Sequence, residues 1–538
     1  MADYPAAEAP AAQKYVVTSA DVEKAADAPA AGAEPANGLG KEYPPGLGGW
    51  LVWGTGGYRW GGHSLYTFQG MKHFLTDGHT VTDAMLTVAM AEIGQVMLVW
   101  PHQMYLAGLI PGIILMVGSG LINVYSMYLL IFFFLERKAR KIKLGEWWEK
   151  DGKRQTVSQY HEVVGFFGGR WVQILAQVLI VISLMGTGIA QVVACSGNMY
   201  SIDNSYSKRD YELIFGGVLI VFSLVPTFRH FRWLNIIGIV GTTFAEWYVF
   251  AAAVNEGFKP GAFQQNARPK SMQNFFTGLS TLAGASHTIA LEMMDAMQDS
   301  RGYTGAYFLG YMYHYTLTMP HSIAVNLAWP DKIAVTDNVY GLLPITTIKK
   351  VSVWLMIVHQ FIAWSLYVTP ILFMWEKAIG VHTKPLWIRL PARLPPAFLI
   401  VLLGVAFPFY STINSFFGTI TGPFIGFIIP CTLFNIFYWK EANRRDSALQ
   451  PPKFLAAYGW KPMFVLNVVF TLLYLVSFTG FGIFYNIQKL IQNSKTFGIF
   501  PDCYQCPKPK PPSILAKPLG FSPALAPGPA FINNTYVG

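Results

Sequence analysis

The first long apolar segment of the chain is interrupted at its centre by the residues Ala91-Glu92-Ile93-Gly94-Gln95. A carboxylate, a helix-weakening glycine and an amide are costly in lipid, and they persist where they face a cavity or one another. A second segment repeats the pattern with Ala283-Gly284-Ala285-Ser286-His287, followed by Glu292 and Asp295. Two interrupted membrane helices that are five helices apart predict a transporter made of two inverted repeats, with its site between the breaks.

The composition also indicates a membrane protein. Of the 538 residues, 53% are hydrophobic and 13% are charged, whereas a soluble domain carries roughly 25% charge. The net charge of +10 comes from short basic clusters between apolar runs. That distribution is typical of cytoplasmic membrane loops, so we exclude nucleic acid as a partner and expect an all-α polytopic protein in a lipid bilayer.

Apolar segments long enough to cross a bilayer recur from about residue 80, and we predict eleven spans, numbered here 1 to 11. Their predicted extents are 80–104, 107–135, 171–198, 211–228, 234–255, 273–298, 304–328, 351–375, 394–411, 414–438 and 464–486. Residues 1–79 form a predicted N-terminal tail, whose first part has the composition of a disordered segment, and 487–538 form a Pro-rich C-terminal tail. Residues 80–486 are the predicted transporter domain.

Basic residues predict the orientation of these spans. The loop from Glu136 to Arg170 alone holds nine Lys and Arg residues, which places it in the cytoplasm. The N-terminus is then cytoplasmic and the C-terminal tail extracellular. In that tail Asn533 begins a glycosylation acceptor sequence, and Cys503 and Cys506 form either a disulfide, free thiols or part of a metal site.

The breaks predict where a substrate binds. Unwound backbone frees N–H groups, and the ends of half-helices favour an anion. His287 follows the second break and can hold a carboxylate when it is protonated, although a buried histidine is also a common structural residue. The predicted substrate-binding residues are His287, Ser286, Ala285, Gln95, Gly94, Gln191 and Asn198. The alternative role for the glycines is close helix packing. Gln191 and Asn198 share one face of span 3, and their alternative role is interhelical contact.

Three buried carboxylates are candidates for proton coupling. Glu92 either carries the coupled proton, contacts a substrate amine or stays protonated as a packing residue. Glu246 in span 5 and Glu292 in span 6 are further candidates, with a gate or loop salt bridge as the alternative for Glu292. The single histidines of spans 7 and 8, at positions 314, 321 and 359, are expected to be satisfied by neighbouring groups. No cofactor is expected beyond the coupling ion, H⁺.

Several motifs resemble the auxin influx carriers, the AUX/LAX group of the amino acid/auxin permeases. They are Gln95–Pro101, Glu136–Lys141, Ala194–Asn198, His359-Gln360-Phe361, Trp375–Gly380, Phe407-Pro408-Phe409, Ile413-Asn414-Ser415 and the block Thr496–Cys506. The resemblance implies a LeuT-like fold of 5+5 inverted repeats, with broken helices 1 and 6 and an eleventh helix. It also implies proton-driven import of indole-3-acetate across the plasma membrane, with His287 as a substrate-binding residue.

The chain departs from the family pattern at both breaks. Glu92 and Glu246 add carboxylates, and an aromatic residue is missing before His287, so the site is wider and more negative. A proton-coupled amino-acid permease of the same fold, with Glu92 on the substrate amine, is therefore the alternative. A second alternative is a sensor that has the transporter fold but does not transport. An enzyme is not expected, because no metal cluster or nucleophile accompanies His79 and Asp83.

Overall fold

The structure is a computed structural model that describes residues 59–60, 63–64, 81–144, 157–226, 231–282, 287–297, 300–406, 410–451 and 458–494. Within these residues it is almost entirely helical, as predicted. Two short antiparallel strands, Arg59–Trp60 and His63–Ser64, lie in the predicted N-terminal tail. The long helices are Leu109–Lys143 (span 2), Tyr160–Tyr200 (span 3), Phe231–Glu256 (span 5), Tyr303–Ala328 (span 7) and Thr347–Ala378 (span 8). The helix Tyr160–Tyr200 is kinked at Gly169, whose φ of 78° is not helical.

The other spans consist of shorter pieces. Span 4 is Lys208–Phe222, and span 9 is formed by Leu386–Ala392 and Leu394–Ala406. Spans 10 and 11 each contain a π-helical stretch: span 10 comprises Tyr410–Pro423, Phe424–Ile428 and Ile429–Trp439, and span 11 comprises Lys461–Tyr474, Leu475–Gly482 and Ile483–Ser494. Short helices at Ala262–Asn266, Ser300–Gly302, Lys332–Ala334, Val339–Leu342 and Glu441–Arg445 connect the spans.

Spans 1 and 6 are interrupted, which confirms the prediction. Span 1 consists of the helix Val81–Glu92, the 3₁₀ turn Gln95–Leu98 and the helix Trp100–Ala107. Span 6 consists of Met272–Leu282, the 3₁₀ turn His287–Ile289 and Ala290–Ala296.

The packing of the spans follows a repeat of five helices. Span 3 packs on spans 9 and 10, and span 8 packs on spans 4 and 5 in the equivalent way. Spans 3 and 8 pack on each other, as do spans 4 and 9 and spans 2 and 7. Exchanging spans 1–5 with spans 6–10 leaves this set of pairs unchanged. That is the pattern a pair of related five-helix halves produces, and the fold is the predicted LeuT-like one.

Seven helices of the described chain are long and apolar enough to cross a membrane. They correspond to spans 2, 3, 5, 8, 9, 10 and 11. Spans 1 and 6 fall short because they are broken and span 4 because it has 15 helical residues, whereas span 7 is rich in tyrosine and histidine. Large apolar side chains such as Ile114, Val221 and Val465 are more than 60% exposed on the outer helices, and lipid is the medium that accommodates them.

A buried ion network joins spans 4, 8 and 9. Glu376 of span 8 accepts hydrogen bonds from Arg393 Nε at 2.6 Å and from Arg389 Nη2 at 2.8 Å. The Arg393 guanidinium also donates to the carbonyls of Val225 and Pro226, which follow span 4, at 2.7 and 3.1 Å. Removing one member of a buried pair typically costs about 3–5 kcal/mol. These three spans are therefore held together as one unit.

Candidate functional site

The break in span 1 follows from two residues. Gly94 has an extended backbone, with φ −103° and ψ −160°, so the helix cannot continue through it. Pro101 lies in the first turn of the next helix, where its missing N–H costs least. Before Gly94, the Tyr367 hydroxyl donates to the carbonyl oxygen of Ala91 at 2.6 Å and so satisfies the end of the first half-helix.

A cavity of about 190 Å³ lies beside this break, between spans 1, 3, 6, 7, 8 and 10. Glu92, Gly94 and Gln95 line it from span 1, and Gln191 lines it from span 3. Polar hydroxyls come from Ser183, Thr187, Ser280, Thr281, Thr288 and Thr421, and aromatic rings from Trp100, Tyr311, Tyr367 and Phe417. The structure therefore brings four of the predicted site residues together around a space for a small organic molecule.

His359 also lines the cavity, and sequence reasoning missed it. Its Nδ1 lies 3.3 Å from the carbonyl oxygen of Gly238. Because a carbonyl only accepts hydrogen bonds, this contact places a proton on Nδ1 and leaves Nε2 for another partner. Nε2 is buried, has no hydrogen-bond partner among the described residues and lies 3.5 Å from where a side chain at Gly94 would begin. It is thus available to a ligand at the break.

The ionisable groups at the cavity, within the described lining, are Glu92 and His359. Glu92 is half-buried, and the Tyr307 hydroxyl donates to its Oε1 at 3.3 Å. An acid and a base that line one small space can hold a molecule that carries an amine, a carboxylate or both.

Four amides close one end of the cavity. Gln95 and Asn198 exchange hydrogen bonds of 3.0 and 2.7 Å. Gln360 of span 8 donates to Gln95 at 3.0 Å, and Asn338 donates to Asn198 at 3.4 Å. The predicted face of span 3 is thus divided in its contacts: Gln191 lines the cavity, whereas Asn198 holds the second half of span 1.

Glu292 lies in the half of span 6 that follows the break, near the end of the span that is predicted to be cytoplasmic, and it is buried. Gln159, the residue before span 3, donates to Glu292 Oε1 at 3.4 Å and to the carbonyl of Pro370 at 3.0 Å. The Gln159 amide therefore links the carboxylate of span 6 to the backbone of span 8, which is the position of a gate contact. Its predicted part in proton coupling stays a prediction.

His287 is fully buried but is not part of the described lining of the cavity. Its ring packs 6.1 Å from that of Tyr307 and 5.7 Å from that of Phe427, measured between centroids. Neither ring nitrogen makes a hydrogen bond of normal geometry to the described residues, and the main chain at Asn123 is close. Tyr307 separates it from Glu92. The substrate contact assigned to His287 stays a prediction.

Several predicted site residues lie outside the described part of the chain. Ala285 and Ser286 belong to the break in span 6, and Cys503, Cys506 and Asn533 belong to the C-terminal tail.

Glu246 does not line the cavity; it forms a pair with His321. Its Oε2 lies 2.8 Å from His321 Nδ1, and both side chains are 1% exposed. The sequence held a signal for this pair, since ionisable residues within membrane spans tend to pair with one another. The sequence does not show which residues pair, because Glu246 and His321 lie 75 positions apart.

Comparison with known proteins gives matches along most of the chain. Residues 77–477 match the family described as "Transmembrane amino acid transporter protein". Auxin transporter-like protein 4 of Medicago truncatula is 32% identical over 84% of this chain and 91% of its own length. Auxin transporter protein 1 of Arabidopsis thaliana is 31% identical over 82% of this chain and 90% of its own. The crystal structure of MhsT in complex with L-phenylalanine is similar with a TM-score of 0.45 and 11% identity, over 73% of this chain and 98% of that one.

Proposed function

Because the chain belongs to the transmembrane amino acid transporter family, we propose that it is a proton-coupled symporter that imports an auxin-like aromatic carboxylate, indole-3-acetate, across the plasma membrane. The chain is a multi-pass membrane transporter and not an enzyme. Its relatives are named for auxin, which supports an aromatic acid as the substrate.

The observation that carries the proposal is the buried Nε2 of His359 at the break in span 1, which has no hydrogen-bond partner within the described part of the chain. A protonated imidazole there donates to a carboxylate, and N–H groups freed at the breaks supply further donors. The aromatic ring of the substrate packs on Trp100, Tyr311 and Phe417 of the lining. Ala285, Ser286 and His287 contribute from span 6 in this proposal.

Transport follows by alternating access. The cavity binds a proton and the substrate from outside, and then spans 1, 2, 6 and 7 rock against the unit that contains spans 4, 8 and 9. The substrate and the proton are released on the cytoplasmic side, where the N-terminus lies in this proposal. The cytoplasm is the more alkaline medium, so the carrier loses the proton there. Glu92, Glu246 and Glu292 are the carboxylates available for coupling.

The test is carrier-dependent uptake of labelled indole-3-acetate, at acidic and neutral external pH, by cells that express the chain or its His359→Gln variant. We expect saturable, acid-stimulated uptake by the unaltered protein and a KM about tenfold or more higher for the variant, because a hydrogen bond to a charged group contributes about 1.5–3 kcal/mol. His314→Gln is the matched control, since His314 is equally buried but is not part of the described lining. Absence of saturable uptake by protein that reaches the membrane overturns the proposal.

A second candidate is a proton-coupled amino-acid permease, which two observations favour. Glu92 lines the cavity and is placed to bind an amine. The cavity of about 190 Å³ is little larger than the 150 Å³ cavity that holds one benzene molecule, so a two-ring acid requires lining side chains to move. Inhibition of uptake by neutral amino acids, rather than by aromatic acids, selects this candidate.

A further inference from the structure

Spans 1, 5 and 7 meet at a buried acid–base pair outside the cavity. His321 Nδ1 lies 2.8 Å from Glu246 Oε2 and 2.9 Å from the carbonyl oxygen of Leu317. The other ring nitrogen, Nε2, lies 3.1 Å from the carbonyl oxygen of Met97. Each nitrogen of this imidazole therefore faces oxygen atoms that accept hydrogen bonds.

Pro101 explains why Met97 needs such a partner. In a helix the carbonyl of Met97 would accept from the N–H of the residue four positions later, and proline has none. Met97 lies in the 3₁₀ turn of the break, between the cavity-lining residues Gln95 and Val96 and the second half of span 1. The contact from His321 therefore fixes the backbone that forms one wall of the cavity.

We infer that the Glu246–His321 pair is the binding site of the coupling proton, and that it acts on the substrate cavity through the carbonyl of Met97. This inference rests on the proposed proton-coupled transport. With the proton bound, the pair carries one acidic proton more than a carboxylate and a neutral imidazole. Both ring nitrogens can then take part in hydrogen bonds, one with Glu246 and one with Met97.

Loss of that proton leaves one N–H on the imidazole and two sets of acceptors. If the N–H faces Glu246, the lone pair of Nε2 opposes the Met97 carbonyl at 3.1 Å. If it faces Met97, the lone pair of Nδ1 opposes a carboxylate. One contact must break, and retaining the contact with the charged carboxylate is favoured. Release of the proton therefore frees the 3₁₀ turn of span 1, which couples the proton to the shape of the cavity.

The groups around the pair favour this site for the proton. Span 1 presents the main chain of Met97. Span 7 also presents His314, which packs 5.0 Å from the ring of Trp100 and interacts electrostatically with His321. The segment before span 8 presents Tyr340, whose hydroxyl is bonded to Ser352 of span 8 at 2.6 Å and which lies within the field of Glu246. Of the two histidines, His321 is the one that faces a carboxylate.

The transport test compares Glu246→Gln and His321→Gln with the unaltered carrier in proteoliposomes. One coupled proton changes the accumulation ratio by about tenfold per unit of pH gradient. We expect both variants to lose that dependence while they still exchange labelled for unlabelled indole-3-acetate. Glu212→Gln is the matched control, with a buried carboxylate in span 4, and should retain it. Retention of the dependence in Glu246→Gln overturns the inference.

A second measurement does not depend on the substrate. Infrared difference spectra of the purified full chain between neutral and acidic pH should contain a titrating band of the pair that disappears in Glu246→Gln and in His321→Gln but persists in Glu212→Gln. If the unaltered carrier transports no indole-3-acetate, the proposed function fails and the spectra still decide the proton site. Difference spectra that are the same in all variants overturn it.

Discussion

Glu92 is the residue whose charge separates the two candidate substrates. It shares a cavity of about 190 Å³ with whatever is bound. Two like charges about 6 Å apart repel by about 3 kcal/mol at an effective dielectric constant of 20. A carboxylate at this position therefore opposes an anionic substrate and favours one with an amine.

We therefore expect Glu92→Gln to lower the KM for indole-3-acetate by about tenfold, which is well within the repulsion that the charge can exert. The same change should weaken inhibition by neutral amino acids. Uptake with amino-acid competitors measures both, and Glu212→Gln is the control for a buried carboxylate that is not part of the described lining. An unchanged KM together with unchanged inhibition would show that Glu92 does not meet the substrate.

The histidines show what a sequence can and cannot give at this scale. The rarity of ionisable groups in membrane spans marked His287 and Glu246 as candidate functional residues. It could not tell which side of a helix faces the cavity, because that depends on how the neighbouring helices pack. His359 and His321 were expected to be satisfied by their surroundings. His321 is, because carbonyl oxygens and a carboxylate face its two nitrogens, whereas Nε2 of His359 has no hydrogen-bond partner among the described residues.

Among the elements, the two broken spans pack closely against each other. A side chain at Gly278 of span 6 would begin 2.6 Å from the carbonyl oxygen of Gln103 and 2.7 Å from the nitrogen of Ala107, both in span 1. These neighbours are backbone atoms, so they cannot turn away. The two half-helices approach each other through this glycine.

Gly278→Ala should therefore push the half-helices apart. We expect a loss of about 1–3 kcal/mol of stability, the usual cost of overpacking, with a matching loss of uptake. Gly217→Ala is the control, because that helical glycine of span 4 has no atom within 4 Å of the added carbon, and alanine there should add up to about 1 kcal/mol. Thermal unfolding of the two purified variants gives the comparison, and equal stabilities would contradict the close approach.

Element breaks were predictable where one residue type forces them. Gly94 and Pro101 interrupt span 1 for reasons that are visible in the sequence, and the break in span 6 was expected from its small residues. The π-helical stretches of spans 10 and 11 were not expected. In span 10 the Tyr160 hydroxyl donates to the carbonyl of Ile425 at 2.5 Å, a contact between residues 265 positions apart that no local pattern reveals.

For the whole molecule, the repeat predicted from two breaks is present in the packing of the helices. The span count and the orientation rest on hydropathy and on basic residues, and they remain predictions. Span 7 shows the limit of hydropathy, because its many tyrosines and histidines face other helices and not lipid. Its polarity follows from its central position, which only the assembled fold reveals.

Two polar contacts on opposite sides of the cavity should control which side opens. Gln95 and Asn198 join spans 1 and 3 on the side predicted to be extracellular, and Glu292 and Gln159 join span 6 to the start of span 3 on the other side. Each hydrogen bond contributes about 1 kcal/mol, or about fivefold in a two-state equilibrium. Asn198→Ala should therefore favour the outward-open state, and Glu292→Ala the inward-open state.

The rate at which an impermeant thiol reagent labels the cavity from outside intact cells measures this balance. A cysteine introduced by Ser183→Cys in the lining is the reporter, and the carrier without it gives the background from the natural cysteines. Relative to the reporter alone, we expect labelling to become at least about fivefold faster with Asn198→Ala, which removes two hydrogen bonds with Gln95, and about fivefold slower with Glu292→Ala, because each loosens one side. If both changes shift labelling in the same direction, the contacts do not act as opposing gates. Opposite shifts would show that Asn198 and Glu292 each stabilise the closed state of the cavity on one side of the membrane.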